Sequence, residues 1–211
     1  AGELIVVTLR DTGLAFFDQW PRLNAWLNRL TLLRQLEAEA LTQNPWPDWS
    51  ETSLLASLED WLLPMLPAVQ GWGALCALDL RTPLEARLEW SLLQRLKQEA
   101  PERYQAPSGI WHSIDYEERP PVVELKLQEL FSLTETPAIA RGRQKLKLHL
   151  LSPAGRSLAV TSDLASFWRE AYPQVKAEMK GRYPKHPWPE DPISAEPTVL
   201  TKRALAGEPK R

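Results

Sequence analysis

Ile110-Trp111-His112-Ser113-Ile114-Asp115-Tyr116-Glu117-Glu118-Arg119-Pro120-Pro121-Val122-Val123-Glu124-Leu125-Lys126-Leu127 is where the hydrophobic period of the chain changes. Before it, apolar residues recur every three or four positions. Here they begin to alternate, as in a strand with one buried face. A Pro107-Ser108-Gly109 turn precedes the first run, and Glu117 to Pro120 is turn chemistry, so the pair reads as an antiparallel hairpin. A short helix from Gln128 to Leu133 follows. Leu146, Leu148 and Leu150 then alternate with Lys145, Lys147 and His149, a half-buried strand with a basic outer face. Pro153-Ala154-Gly155 turns it back into Leu158-Ala159-Val160-Thr161. Ser162 or Asp163 caps a last helix with Leu164, Phe167, Trp168, Ala171, Val175 and Met179 on its apolar stripe. Pro173 should kink that helix, and Gly181 is placed to cap its C-terminus. The order β-β-α-β-β-α predicts a small, mostly antiparallel sheet with packing helices.

Upstream of this switch the pattern is helical. From Pro21, Leu23, Trp26, Leu27, Leu30, Leu33 and Leu36 share one stripe, with Arg22, Asn28, Arg29 and Arg34 largely elsewhere. Asn44 to Asp48 is a turn. Ser50 caps a second helix carrying Leu54, Leu55, Leu58, Trp61 and Leu62, which Pro64 should stop. Thr82-Pro83-Leu84-Glu85 has the form of a capping box, and Ser91-Leu92-Leu93-Gln94 repeats it. One helix continuous through Trp90 and two short ones broken there fit equally well. Glu3 to Leu9 is rich in β-branched residues, but its helical company favours a helix. The fold class is therefore α+β. Residues 1–103 form a helical region, 104–193 an α+β domain ending in a Pro-rich arm, and 194–211 a polar tail ordered only where it docks.

The 211 residues have ordinary globular composition, 44% hydrophobic and 25% charged. A net charge of −2 excludes a globally basic nucleic-acid binder, though the first hundred residues balance to −5 and the rest to +3. No apolar run is long enough for a membrane span, and the start shows no signal-peptide pattern. Cys76 is the single cysteine, excluding a disulfide framework and suiting a reducing, cytoplasmic setting; it reads as a buried small hydrophobe. Ten Trp and nineteen Pro imply short, tightly connected elements. With no initiator Met, the chain reads as a piece of something longer.

Neither Gly-x-x-x-x-Gly-Lys-Ser/Thr nor Gly-x-Gly-x-x-Gly occurs among the nine glycines, so no loop-type phosphate cradle is present. No catalytic residue, cofactor ligand or metal ligand stands out. His112, His149 and His186 have no ligand spacing and read as packed or solvated. The densest basic run is Arg141-Gly142-Arg143-Gln144-Lys145-Leu146-Lys147. It would line an edge and a face of the sheet, and is either a solvated face or a track for a phosphate backbone. The segment Tyr183-Pro184-Lys185-His186-Pro187-Trp188-Pro189-Glu190-Asp191-Pro192 has polyproline character. Tyr183 and Trp188 would anchor it, with Lys185 and His186 outward; it is either an arm clamped on its own domain or a free ligand for a partner's aromatic groove.

Arg182 to Pro192 resembles the terminal signature of the HrpB class of bacterial DEAH-box ATP-dependent helicases. Pro107-Ser108-Gly109, Ile114-Asp115-Tyr116, Leu127-Gln128-Glu129-Leu130-Phe131, Leu150-Leu151-Ser152-Pro153, and Thr161-Ser162-Asp163-Leu164 leading to Phe167-Trp168 follow the same pattern in order. Trp61-Leu62-Leu63-Pro64 and Leu78-Asp79-Leu80 extend it into the helical half. Ser132 stands where that pattern commonly has glycine. The resemblance implies a C-terminal, non-catalytic accessory module of a longer helicase. Its core domains, in the same polypeptide, would use ATP and magnesium to drive a nucleic-acid strand, RNA foremost. This chain lacks the Walker motif, the Asp-Glu-Ala-His box and the arginine-finger motif, so no catalytic residue carries over and no cofactor is expected within it. The expected partners are the helicase core and single-stranded RNA or DNA, with no membrane. Arg141, Arg143, Lys145, Lys147, Arg182, Lys185 and His186 are the candidate nucleic-acid contacts, with Lys202 and Arg203 behind them. Two other readings stand beside this one. The first is a docking surface for an unknown protein partner through Trp46, Trp49, Trp72, Trp111 or Trp188. The second is a hydrolase built from His149, His186 and nearby carboxylates.

Overall fold

The β-branched opening is helical: α1 runs Gly2–Thr12 in the computed structural model, which describes residues 2–38 and 43–207. Val6 and Leu9 are its buried residues, while Leu4 and Val7 stay exposed. The chain divides into two units, Ala1–Ala100 and Pro101–Arg211. Residues 39–42 of the expected helical region and 208–211 of the expected tail lie outside the described residues.

In the first unit the apolar stripe of α2 (Trp20–Ala38) is buried at Leu23, Trp26, Leu27, Leu30 and Leu33, with Leu36 half-buried. Two charged side chains join it against expectation. Arg29 is 4% exposed, and its Nε donates to the Ala100 carbonyl at 2.6 Å and an Nη to that of Leu96 at 3.4 Å. These carbonyls end α7 (Trp90–Glu99), where a helix leaves acceptors unpaired and its dipole favours a cation. Glu37 is buried too and takes Arg95 at 2.7 Å, which also holds Glu99 at 2.9 Å and lies over the Trp46 ring. Arg34, also expected outside, donates to the Trp46 carbonyl at 2.7 Å.

The remaining helices are short. Ser50 caps α3 (Glu51–Ala56) by accepting the Ser53 N–H. The expected run to Pro64 breaks at Ser57, whose hydroxyl donates back to the Ser53 carbonyl, a local bond that competes with the helix. Beyond it come α4 (Leu58–Trp61) and a 3-10 turn, Leu63–Ala68, with Pro64 in its first turn rather than at a helix end. Cys76, expected to be buried, is half-exposed at the end of α5 (Trp72–Cys76). In α6 (Arg81–Glu85) the capping box does not form. Asp79 caps instead, accepting the N–H groups of Arg81 at 2.9 Å and Thr82 at 3.3 Å and the Thr82 hydroxyl at 2.6 Å. A carboxylate is the stronger acceptor, and Glu85 is drawn to Arg81 at 2.8 Å. The chain breaks before Trp90, so two short helices hold, and α7 likewise lacks a side-chain cap.

The second unit carries a five-stranded sheet ordered β1-β2-β3-β6-β7, from β1 (Arg103–Gln105), β2 (Trp111–Asp115), β3 (Val122–Lys126), β6 (Lys147–Leu151) and β7 (Ser157–Thr161). The β2–β3 and β6–β7 pairs are antiparallel as expected, but β3 and β6 run parallel, Val122 opposite Lys147 and Leu150 opposite Leu125. The intervening segment holds a 3-10 turn, Leu127–Leu130, and a two-stranded ribbon, β4 (Ala138–Ile139) with β5 (Gln144–Lys145). It returns the chain to the starting end of β3, which forces the parallel crossover. Lys147 and His149 therefore sit on an interior strand, half-buried, not on an edge.

Asp163 caps α8 (Leu164–Ser166), accepting the Ser166 N–H, and a π turn, Phe167–Ala171, leads into α9 (Tyr172–Arg182). The extra residue of the π turn lets Pro173 fall in the first turn of α9, where its missing N–H costs little. Gly181 lies within the last turn rather than capping it, and Tyr183 closes the helix by donating its N–H to Met179 at 2.7 Å. Trp168 packs edge-on against Phe167 and Tyr172, each at 5.3 Å. The Pro-rich arm is clamped. Gln128 Nε2 donates to Pro187 at 2.8 Å, Tyr172 hydroxyl to Pro189 at 2.9 Å, and Ser132 N–H to Pro192 at 3.0 Å. Beyond Ser194 the chain still docks, Thr198 N–H to Gln128 and Lys202 N–H to Lys185, and ends the described structure near α10 (Lys202–Leu205).

Replacing Arg29 with Met should destabilise the chain by about 2–4 kcal/mol in urea unfolding, since buried helix-end carbonyls lose their donor. Ser132 holds φ 71°, a left-handed conformation costly for any residue with a Cβ. Ser132→Gly should therefore raise stability by roughly 0.5–1 kcal/mol, read from the same unfolding curves.

Candidate nucleic-acid interface

The basic run divides in two. Ile139 and Ala140 are buried, and Leu146 is fully buried with its N–H donating to Pro137 at 2.9 Å, so the β4–β5 ribbon is rooted at both ends. Its tip turns through Ala140 (φ 52°), Arg141 (φ 57°) and Gly142 (φ 83°). Gly142 N–H donates to Ile139 at 3.0 Å, and the Arg143 N–H and Nε to the Ala140 carbonyl at 3.2 and 3.1 Å. Two non-glycine residues held left-handed mark a strained, well-determined tip. Arg141, Arg143 and Lys145 are exposed on it.

Lys147 does not join them. Its Nζ lies 3.0 Å from Glu118, whose carboxyl is held below its usual range chiefly by that hydrogen bond and charge. Lys147 therefore supports the sheet next to the turn between β2 and β3.

The arm gathers a second group. Arg182 is exposed at the end of α9, and Lys185 is exposed nearby. Lys202 Nζ donates to the Pro184 carbonyl at 3.1 Å, which brings the tail cations Lys202 and Arg203 to the arm. His186 turns inward rather than out. Its Nδ1 is enclosed without a partner, and burial first, then the Lys126 charge, hold its pKa below the usual value against a hydrogen bond to the Leu200 backbone. Lys126, at the end of β3, is the neighbour that the linear sequence did not signal.

The tryptophans divide as well. Trp46 and Trp188 are buried, Trp49 is half-buried 5.8 Å from the Trp26 ring, and Trp72 and Trp111 are exposed. Trp90, not among the expected docking tryptophans, is exposed too.

His149 lies opposite Glu124 across β3 and β6, whereas His186 sits against Leu200 and Lys126. Among the described residues no contact joins the two histidines to one carboxylate, and no group of three His, Cys, Asp or Glu is placed to hold a metal ion. A different constellation forms around Glu129, whose side chain is 2% exposed. Its Oε2 accepts the Ser108 hydroxyl at 2.9 Å and lies 2.8 Å from His112 Nε2, and its Oε1 accepts the Lys126 N–H at 3.1 Å. The carboxylate stands between serine and histidine, so the imidazole is not positioned to take the hydroxyl proton. The arrangement is a lock for a buried carboxylate. Its only sequence signals were the Pro-Ser-Gly and Leu-Gln-Glu-Leu-Phe stretches. No helix among the described residues is long and apolar enough to cross a membrane.

Residues 61–192 match the family model described as "ATP-dependent helicase C-terminal", HrpB_C. The chain is 43% identical over 196 residues to the ATP-dependent RNA helicase HrpB of Escherichia coli, covering 92% of this chain and 24% of that protein. It superimposes on the crystal structure of the E. coli DExH-box NTPase HrpB with a TM-score of 0.82 at 41% identity, over 92% of this chain and 24% of that one. A second structure, the E. coli DEAH/RHA helicase HrpB, matches with a TM-score of 0.69 at 38% identity, over 87% and 23%. The chain thus spans about a quarter of the length of these relatives.

Because the folded pKa of His186 is lowered, the unfolded chain binds the proton more readily once pH falls below about 6.5. Stability associated with the arm should be fully present at pH 7.5 and fall towards pH 5. Thermal midpoints at the two pH values should differ less in His186→Asn than in the parent chain.

Proposed function

The chain belongs to the HrpB-type ATP-dependent helicase C-terminal family, and from that premise we propose that it is a non-catalytic accessory module which packs on the helicase core and lends cations to a single strand, RNA foremost. The observation that carries this reading is the β4–β5 tip, where Arg141, Arg143 and Lys145 stand exposed on a backbone strained into the left-handed region. Backbone strain of this kind clusters at ligand-facing elements. Salt-dependent phosphate contacts are the chemistry such a tip offers.

ATP and magnesium belong to the core domains in this reading. The residues of this chain do not fit them: no glycine-rich cradle occurs in the sequence, and the described residues hold no acidic cluster for a metal. No step through nucleotide is assigned to it. The helicase works in the cytoplasm, where a lone, half-exposed Cys76 stays reduced.

A second reading, docking of a protein, rests on a separate surface of the first unit. Exposed Trp72 stacks on Phe16 at 5.5 Å beside exposed Leu4, around a groove of about 260 Å³. Exposed aromatic anchors of this kind suit a protein partner better than a phosphate backbone.

Fluorescence anisotropy with a labelled single-stranded oligonucleotide tests the main reading. Binding should fall steeply with salt, and reversing Arg141, Arg143 and Lys145 to Glu should flatten the log–log slope by about 2, at roughly 0.7 per phosphate contact. Lys147→Ala should leave the slope unchanged. An absence of binding even at low salt removes the nucleic-acid role.

A further inference from the structure

A cleft of about 200 Å³ lies between the β6–β7 turn and one face of α9. One wall is the turn itself. Ser152 is 1% exposed, its N–H donates to the Arg156 carbonyl at 2.8 Å, and its Oγ accepts the Arg156 N–H at 3.0 Å. Gly155 N–H closes the turn onto the Ser152 carbonyl at 2.9 Å. The backbone that carries Arg156 and Ser157 is thereby pinned. The other wall is helical: Val175, Glu178, Met179 and Arg182 follow at steps of three, one and three, which share one face. Tyr183 ends that wall, its N–H bonded to Met179 and its carbonyl accepting Trp188 Nε1 at 3.0 Å.

Several cations of the chain are already committed to carboxylates. Arg10, Arg81, Arg95, Lys147 and Lys176 each meet a carboxylate. Among the described residues, neither the Arg156 nor the Arg182 guanidinium makes a hydrogen bond or an ion pair, although both line the cleft together with Glu178. Two planar forks facing one hollow suit the oxygens of a phosphate, each able to bind in a bidentate manner. Glu178 and the negative end of the α9 dipole limit how much negative charge the cleft accepts. Two guanidiniums against one carboxylate balance a singly charged phosphodiester and disfavour a doubly charged phosphate. Leu158, Val175 and buried Met179 supply an apolar floor on which a sugar can rest.

We infer that this cleft seats one phosphodiester linkage of a single-stranded nucleic acid, a contact distinct from the β4–β5 tip; it rests on the nucleic-acid reading above and names a second point of attachment. The strand would be held at two places, a strained ribbon tip and a pinned cleft, so that the module grips backbone without reading bases.

The test follows Arg Nε resonances of the 211-residue chain by NMR while a short single-stranded oligouridylate, or inorganic phosphate, is added. The Arg156 and Arg182 signals should move with the oligonucleotide. The Arg156→Ala/Arg182→Ala double variant should bind it on the order of tenfold more weakly. Lys180→Ala, an exposed cation on the same helix but outside the cleft, should bind like the parent chain, and thermal unfolding confirms that each variant folds. Oligonucleotide binding that leaves both signals and the double variant's affinity unchanged overturns the cleft and spares the accessory-module reading. Failure of the parent chain to bind overturns both. Inorganic phosphate moving the two signals at least as strongly as the oligonucleotide overturns the diester assignment.

Discussion

Burial of Gln128 and Glu129, side by side in the 3-10 turn after β3, constrains the whole second unit. Both are 1–2% exposed, and a polar amide or a carboxylate at that depth is tolerated only when its hydrogen-bonding capacity is met. Adjacent residues of a tight turn point apart, so the two recruit partners from opposite directions. The Gln128 side chain takes the Pro-rich arm at Pro187 and its backbone carbonyl takes the tail at the Thr198 N–H, while Glu129 takes the Ser108 loop, His112 of β2 and the Lys126 N–H. Loop, sheet and arm are thereby tied to one turn. Loss of the Glu129 side chain would leave three half-buried partners unsatisfied at once, which is how a short turn acquires such influence.

The cations of this chain fall into two populations. Arg29, Arg95 and Lys147 are committed to the fold, meeting helix-end carbonyls or carboxylates where desolvation makes a missing partner expensive. The tip cations and the cleft arginines are exposed and are carried on backbone that is strained or pinned. Net charge conceals this division. A chain at −2 can bind a polyanion where exposed bases are gathered locally.

Local patterns were legible where one dominant signal acted alone. The stripe from Leu23 to Leu33, the Ser50 cap and the two hairpins follow from periodicity and capping chemistry, and each lies where it was expected, while of Ser162 and Asp163 it is Asp163 that caps. Reading failed where two local options competed and a distant group chose. Thr82 offered a cap but Asp79 was the stronger acceptor; Gly181 offered a terminus but Tyr183 was already fixed by Trp188 and the arm. Pro173 should have bent the last helix, yet a π turn upstream absorbed the proline. Arg29 looked like a surface cation because nothing near it in sequence reveals the carbonyls of Leu96 and Ala100.

Of the candidate contacts, the tip of the ribbon was visible as a basic run, but its separation from Lys147 was not. That separation depends on β6 entering the sheet beside β3 in parallel, a pairing between residues about twenty-five positions apart. By itself the sequence determined the helical and stranded halves, the hairpins, the Pro-rich signature segment and the family, because these reside in short-range spacing and residue order. Strand order, the clamping of the arm, the inward turn of His186, the lock around Glu129 and the placing of Arg156 and Arg182 on one cleft were decided by tertiary structure. Each arises from which distant groups share a desolvated space, and only the closed chain specifies that.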